Sequence, residues 1–340
     1  MIQKFKFFLK IGSLLILTTF LLVALIFFYQ IKTFSKTPGS ISEDQEIIIT
    51  INKGDSLNKV ISILEQNQLI SSSLKFKIYA KFNKKDKKTQ VGEYSFKKTM
   101  TPEEILNSLS SGAIKLRKTT IPEGYTIAQI AKELEDNKIC KKDEFVKLSN
   151  DNKLLKQFGI KGPSFEGYLF PETYFFAKNT KAETVIKTMI GNFFKIYSTK
   201  FSKRAKELGM SDHEIIILAS IIEKETGSKD ERTIVSSVFH NRLKKQMRLE
   251  TDPSVIYGIK DFDGNITRAD LREPTPYNTY IIKGLPPGPI ANPGLKSIEA
   301  ALYPADTEFL FFVSKKDGTH YFSKTYKEHK KAVEKFQLGR

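Results

Sequence analysis

Cysteine occurs once in the 340 residues, at Cys140, and histidine four times, at His213, His240, His320 and His329. One cysteine excludes any intramolecular disulfide, so packing must hold the chain together, and none follows the first apolar run closely enough to carry a lipid. The histidines make no HExxH and there are no cysteine pairs, which argues against zinc. No glycine-rich phosphate loop occurs. Ser220 lacks a GxSxG elbow and lies nearly opposite Ile222 on the helical period, so a serine nucleophile is poorly supported. No metal or cofactor is expected, and carboxylate chemistry is what remains.

Cationic charge is abundant: 55 Lys and Arg against 38 Asp and Glu give +17. Such an excess suits a membrane face, a wall polymer or nucleic acid. The lysines are scattered, and an export anchor argues against nucleic acid; a lysine-rich composition with no specific partner is the plain alternative. That anchor is Ile11–Tyr29, an uncharged run long enough to cross a hydrocarbon core, preceded by Lys4, Lys6 and Lys10. A cleavable signal would have a shorter apolar region ending in small residues, whereas "FFYQIKTF" follows here. The expectation is a single-pass helix in the cytoplasmic membrane, its amino terminus in the cytoplasm and everything after Gln30 outside.

The rest divides by composition into a cytoplasmic tail (1–10), the membrane helix (11–29), a polar linker (30–45), a small module (46–115) and a larger α+β domain (116–340). In the module, a strand at Glu46–Ile51 precedes a helix with Leu57, Val60, Ile61 and Leu64 on one face, and a second helix is expected at Ser73–Phe82. "GEYSF" reads as a strand. Thr101, Pro102, Glu104 and Gly112 supply a cap, a first helical residue, a capping box and a stop. The unit repeats about seventy residues on, Gly54 matching Gly124, Leu57 matching Ile127, Val60 matching Ile130 and Leu64 matching Leu134. Beyond Asn150 come an aromatic stretch at Ser164–Phe176 and a long helix at Ala182–Leu208. Two more helices follow, "ILASIIEKETG" and "ERTIVSSVFHNRLKK", the second with Val235, Val238, Phe239 and Leu243 inward. Three loops dense in Pro and Gly come next, then a hairpin turning near Asp317 and Gly318 and a polar helix from Lys324. Strands and helices do not alternate regularly, hence α+β.

"ILASIIEKETG" is an apolar helix finishing on two carboxylates. Ser211 and Glu214 can open it with a capping box, and Ile215, Leu218, Ala219 and Ile222 make its apolar stripe. Glu225 falls at the edge of that stripe, while Glu223 lies about 100° from Ile222 on the other side. A carboxyl against an apolar wall has a raised pKa and can act as a general acid, whereas most helix-end carboxylates are simply solvated; Glu223 is better read as orienting or salt-bridging.

"FEGYLFPETY", "ASIIEKET", "VFHNRL", "LETDPSVIYG", "PTPYNTY" and "GLPPGPIANPG", in that order, resemble the MltG (YceG-like) family of endolytic murein transglycosylases. The "GDSL" turn and helix pair of the first module resemble LysM domains, which hold polymers of N-acetylated glucosamine, although a spacer role fits equally. The family resemblance implies a lyase that cuts peptidoglycan glycan strands internally and leaves 1,6-anhydro ends. It implies Glu225 as the catalytic acid and work beside peptidoglycan synthases. Tyr277 and Asn278 would offer sugars a stacking face and an amide. Asp252, Asn241, Glu166, Glu172 and Glu223 are further candidates for substrate contact, each with a structural alternative. A non-catalytic wall-binding scaffold and a water-using muramidase, with Glu172 or Asp252 as partner, are the alternatives.

Overall fold

A computed structural model of the chain describes residues 2–40, 45–197, 199–225 and 230–339. By its internal contacts the chain forms two units, Met1–Leu116 and Arg117–Arg340.

The first unit opens on α1 (Ile2–Lys36), an uninterrupted helix with a stretch apolar and long enough to span a membrane. Large apolar side chains from Leu14 to Tyr29 are exposed, whereas Ile31 and Phe34 are buried, Phe34 in the core of the same unit. The segment expected to be a polar linker is therefore helical as far as Lys36, because its apolar residues have a protein surface to bury; positions 41–44 lie outside the described residues. After it come β1 (Glu46–Ile51), α2 (Leu57–Gln66), α3 (Ser73–Phe82), β2 (Gly92–Lys97) and α4 (Pro102–Ser111). β1 and β2 pair antiparallel with Ile49 opposite Tyr94, and their inward residues close on Val60, Leu64, Phe76, Ile105 and Leu109. The capping box of Thr101 and Glu104 forms, and Gly112 ends α4 in the left-handed region that a side chain would strain.

The second unit contains β3 (Leu116–Thr120, which begins at the boundary), α5 (Ile127–Asp136), α6 (Lys142–Ser149), α7 (Asn152–Gln157) and β4 (Thr173–Ala177). It continues with α8 (Ala182–Ile196), α9 (Thr199–Glu207), α10 (Asp212–Glu225), α11 (Arg232–Lys244), α12 (Asp252–Gly258) and α13 (Leu295–Leu302). β5 (Phe311–Ser314), β6 (His320–Ser323) and α14 (Tyr326–Phe336) close it.

The internal repeat is visible in the backbone. Gly54 and Gly124 both have positive φ, Ser56 and Thr126 both cap the following helix, and Gln68 and Lys138, seventy positions apart, share φ near +58. β1 pairs with β2 and β3 with β4, so each copy closes its own two-stranded sheet; in the second copy α7 and the aromatic loop are inserted before the closing strand.

The helix expected over Ala182–Leu208 is two helices. Tyr197 leaves helical geometry with its ring stacked on Phe193 and its hydroxyl donating to Asp212 Oδ1 at 2.9 Å; position 198 is outside the described residues. α10 is buried on every side from Ile215 to Ile222, which explains a run too apolar for an ordinary surface helix, and α13 packs against it. The "LETDPSVIYG" loop contains α12, with Pro253 in its first turn, where no intrahelical N–H bond is lost.

Candidate active site

α10 begins as its sequence dictates, Ser211 and Glu214 exchanging side-chain-to-backbone hydrogen bonds. Its far end carries the two carboxylates, and they have different surroundings. Glu223 is nearly buried: Oε2 accepts from the Gly294 N–H at 3.0 Å and Oε1 lies 3.5 Å from Arg232 Nη2. Lys224 Nζ reaches the Gly124 carbonyl at 3.5 Å. The turn at Gly124 is tied to the "ANPG" loop by backbone bonds between Gly124 and Asn292 and between Asn292 and Tyr125. Glu223 thus ties the helix end to Gly294 and Arg232, in keeping with an orienting or salt-bridging residue.

Glu225, the last residue of α10, is half-buried, and its carboxyl is pushed up to about 7. Loss of solvent is the main cause. The negative charge of Asp252 adds to the rise; the nearby Thr251 hydroxyl and the Arg242 guanidinium oppose it. These neighbours are held in place by named bonds. Arg242, buried on α11, donates to the carbonyls of Arg248, Leu249 and Leu310 and to Glu250. The Thr251 N–H donates to Thr279 Oγ1, and Ser254 shares that same hydroxyl. Fastening "TDPS" to "YNTY" in this way sets Tyr280 so that its hydroxyl donates to Asp252 Oδ1 at 2.7 Å. Burial, the hydrogen bond to Asp252 and the charges of Asp252, Glu225 and Glu250 all raise the Tyr280 hydroxyl, so it stays a donor.

Beside this group lies a concavity of about 670 Å3 whose lining includes Lys224 and Pro253, the chain neighbours of Glu225 and Asp252. Thr126, Gln129, Asn150 and Ser164 give it polar walls and Tyr257 an aromatic one. Glu166 sits in its lining but is itself buried. Its oxygens accept from the Ile127 N–H, the Tyr257 hydroxyl at 3.1 Å and Asn292 Nδ2 at 2.7 Å. Burial outweighs those three bonds and pushes its carboxyl up to about 8. The Tyr277 ring lies 4.9 Å from that of Tyr257, so this half-buried tyrosine belongs to the same aromatic group.

The structure therefore gathers Glu225 with Asp252, and Glu166 with Tyr277 through Tyr257. The other candidates stand elsewhere. Asn278 is wholly buried, its amide donating to the carbonyls of Asp270, Leu271 and Glu273 and its oxygen accepting from the Tyr280 N–H. It braces the loop, and no part of that amide is left for a sugar. Asn241 ties α11 to the carbonyls of Thr307 and Phe309 and borders a different cavity, shared with His213 and His240. Glu172 is exposed at the start of β4, bonded to its neighbour Thr173. Sequence reasoning missed Thr251, Tyr280, Tyr257, Arg242 and Asn292. All five lie in stretches already singled out, Arg242 in "VFHNRL", Asn292 in "GLPPGPIANPG" and the others in "LETDPSVIYG" and "PYNTY", where the sequence does not rank one polar residue above the next.

The YceG-like family matches residues 49–335. The endolytic murein transglycosylase of Bacillus subtilis strain 168 is 39% identical over 315 residues, 87% of each chain. The protein of that name from Streptococcus pneumoniae D39 is 28% identical over 90% of this chain, which spans 61% of its length. A crystal structure of a yceG-like protein from Listeria monocytogenes superposes with a TM-score of 0.59 at 35% identity, covering 85% of this chain and 99% of that one.

Proposed function

The chain belongs to the YceG-like family, and we propose that it is a membrane-anchored endolytic transglycosylase that cuts peptidoglycan glycan strands between N-acetylmuramic acid and N-acetylglucosamine. As a lytic transglycosylase it is a lyase. The reading is carried by one observation: Glu225 ends a buried helix with its carboxyl pushed up to about 7, and its chain neighbour Lys224 lines a concavity with polar, apolar and aromatic walls.

In this mechanism Glu225 gives its proton to the glycosidic oxygen as the bond to the muramoyl anomeric carbon breaks. The 6-hydroxyl of the same sugar then attacks that carbon, and the Glu225 carboxylate takes the hydroxyl proton. The 1,6-anhydro ring is closed, the catalyst is restored and no water is consumed. The nucleophile comes from the substrate, so a second nucleophilic carboxylate is not needed. Loss of solvent, with the negative charge of Asp252 adding to it, raises the Glu225 carboxyl so that it can donate near neutral pH, and the Tyr280 hydroxyl steadies Asp252.

We assign α1 to the cytoplasmic membrane, with the amino terminus in the cytoplasm and everything after Gln30 outside. The first unit is a LysM-like module that holds glycan or sets spacing, and the chain acts near strand synthesis, beside peptidoglycan synthases. The test is digestion of purified sacculi in water enriched in oxygen-18. Wild type should release anhydro-ended fragments without label, and Glu225→Gln should release none. Labelled reducing ends would replace this mechanism with a water-using muramidase.

A further inference from the structure

Ile11–Tyr29 is 19 residues, and at about 1.5 Å per residue it covers roughly 28 Å, close to a hydrocarbon core of about 30 Å. Phe28 therefore marks the outer edge of that core, and the exposed Tyr29 sits where membrane proteins place aromatic rings. α3 runs alongside this end of α1. The Tyr79 hydroxyl lies by Ser35, and one turn later the Phe82 ring meets Phe28 edge-on, centroids 6.4 Å apart. Phe76 and Ala80 are fixed in the core of the unit, so the tip of α3 cannot withdraw, yet Phe82 itself is 61% exposed.

The chain beyond the tip is cationic. Between Ser71 and Gly92 there are seven lysines and one acidic residue, Asp86. Lys81, Lys84, Lys87 and Lys88 are exposed, and Lys85 fastens the loop by donating to Asn107 Oδ1. An aromatic ring level with the hydrocarbon edge and a rim of ammonium groups around it match the boundary of an anionic bilayer in both depth and charge.

We propose that Phe82 and the lysine loop 84–88 form a lipid-docking surface that seats the first unit on anionic headgroups beside its own anchor. The proposal rests on the reading of α1 as a membrane span. A soluble wall polyanion would satisfy the lysines, but it would leave the aromatic tip in water, so the bilayer is the better occupant.

The full chain, carrying Cys140→Ser and a bimane-labelled cysteine at Asn83→Cys or Val23→Cys, is reconstituted in vesicles containing shallow brominated lipid. In phosphatidylglycerol both probes should be quenched. The triple variant Lys84→Glu, Lys87→Glu, Lys88→Glu, or a change to phosphatidylcholine, should release the Asn83 probe alone, by about fivefold in its docking equilibrium per lysine removed. An Asn83 probe that is never quenched while Val23 is would overturn the docking and leave the anchor standing. A Val23 probe that is never quenched overturns both. Quenching indifferent to lipid charge and to the triple substitution, or abolished by soluble polyphosphate at matched phosphate concentration, also overturns the proposal.

Discussion

At the scale of the residue, activity in the proposed mechanism turns on how far a carboxyl at a helix end is dried. Glu225 must enter the reaction protonated, and its carboxyl is pushed up to about 7. The turnover rate on glycan strands should therefore fall as pH rises through about 7. Asp252→Asn removes a charge that raises Glu225, so it should bring the alkaline limb of the pH–rate profile down by roughly 0.5–1 pH, with Tyr280→Phe moving it less. Glu225→Gln should cost at least about 100-fold in anhydro-end release with little change in unfolding midpoint. Glu225 could be found in the sequence because the helical period puts it at the margin of an apolar stripe. The same reasoning could not separate Asn278, which braces a loop, from Tyr280, which reaches Asp252. Both are polar residues in one loop, and only its folded path tells them apart.

Buried carboxyls also set how stability varies with pH. Glu166 and Glu225 are raised to about 8 and about 7 from an ordinary 4.5, so across this range the folded chain binds more protons than the unfolded one. Their contribution is whole below pH 4.5 and is lost as pH rises through about 8. Urea denaturation at pH 5 and pH 8 should show a decline of several kcal/mol, up to about 6, roughly halved in Glu166→Gln.

At the scale of the element, α10 is held by what its ends touch, and the loops they meet are braced in turn. Asn292 is fully buried; its oxygen accepts from the Gly167 and Leu169 N–H groups, and its amide donates to the Tyr125 carbonyl and to Glu166. Asn292→Ala strands several buried polar groups at once and should lower stability by about 3 kcal/mol or more, measured by chemical denaturation. The capping boxes of α4 and α10 and the repeated turn glycines were legible, because each depends on residues a few positions apart. The break at Tyr197 was not, since the ring stacking and the bond to Asp212 that hold it come from residues the local period does not weigh. α12 and α13 were obscured by the prolines and glycines around them, although Pro253 is at home in a first helical turn.

At the scale of the whole molecule there are two separate apolar cores, one per unit. Phe76→Ala, which empties the centre of the first, should cost that core about 3–5 kcal/mol. Hydrogen exchange should show protection falling across α2, α3 and β1 while α10 is unchanged. The division into units follows from composition and the repeat. That α1 runs on into the first core does not, because Ile31 and Phe34 look in sequence like the start of a tether.

That continuity makes α1 a stiff mast with no swivel. A four-residue alanine insertion after Gln30 would hoist the first core by ~6 Å and turn it by ~40°, so a short change in length alters height and heading together.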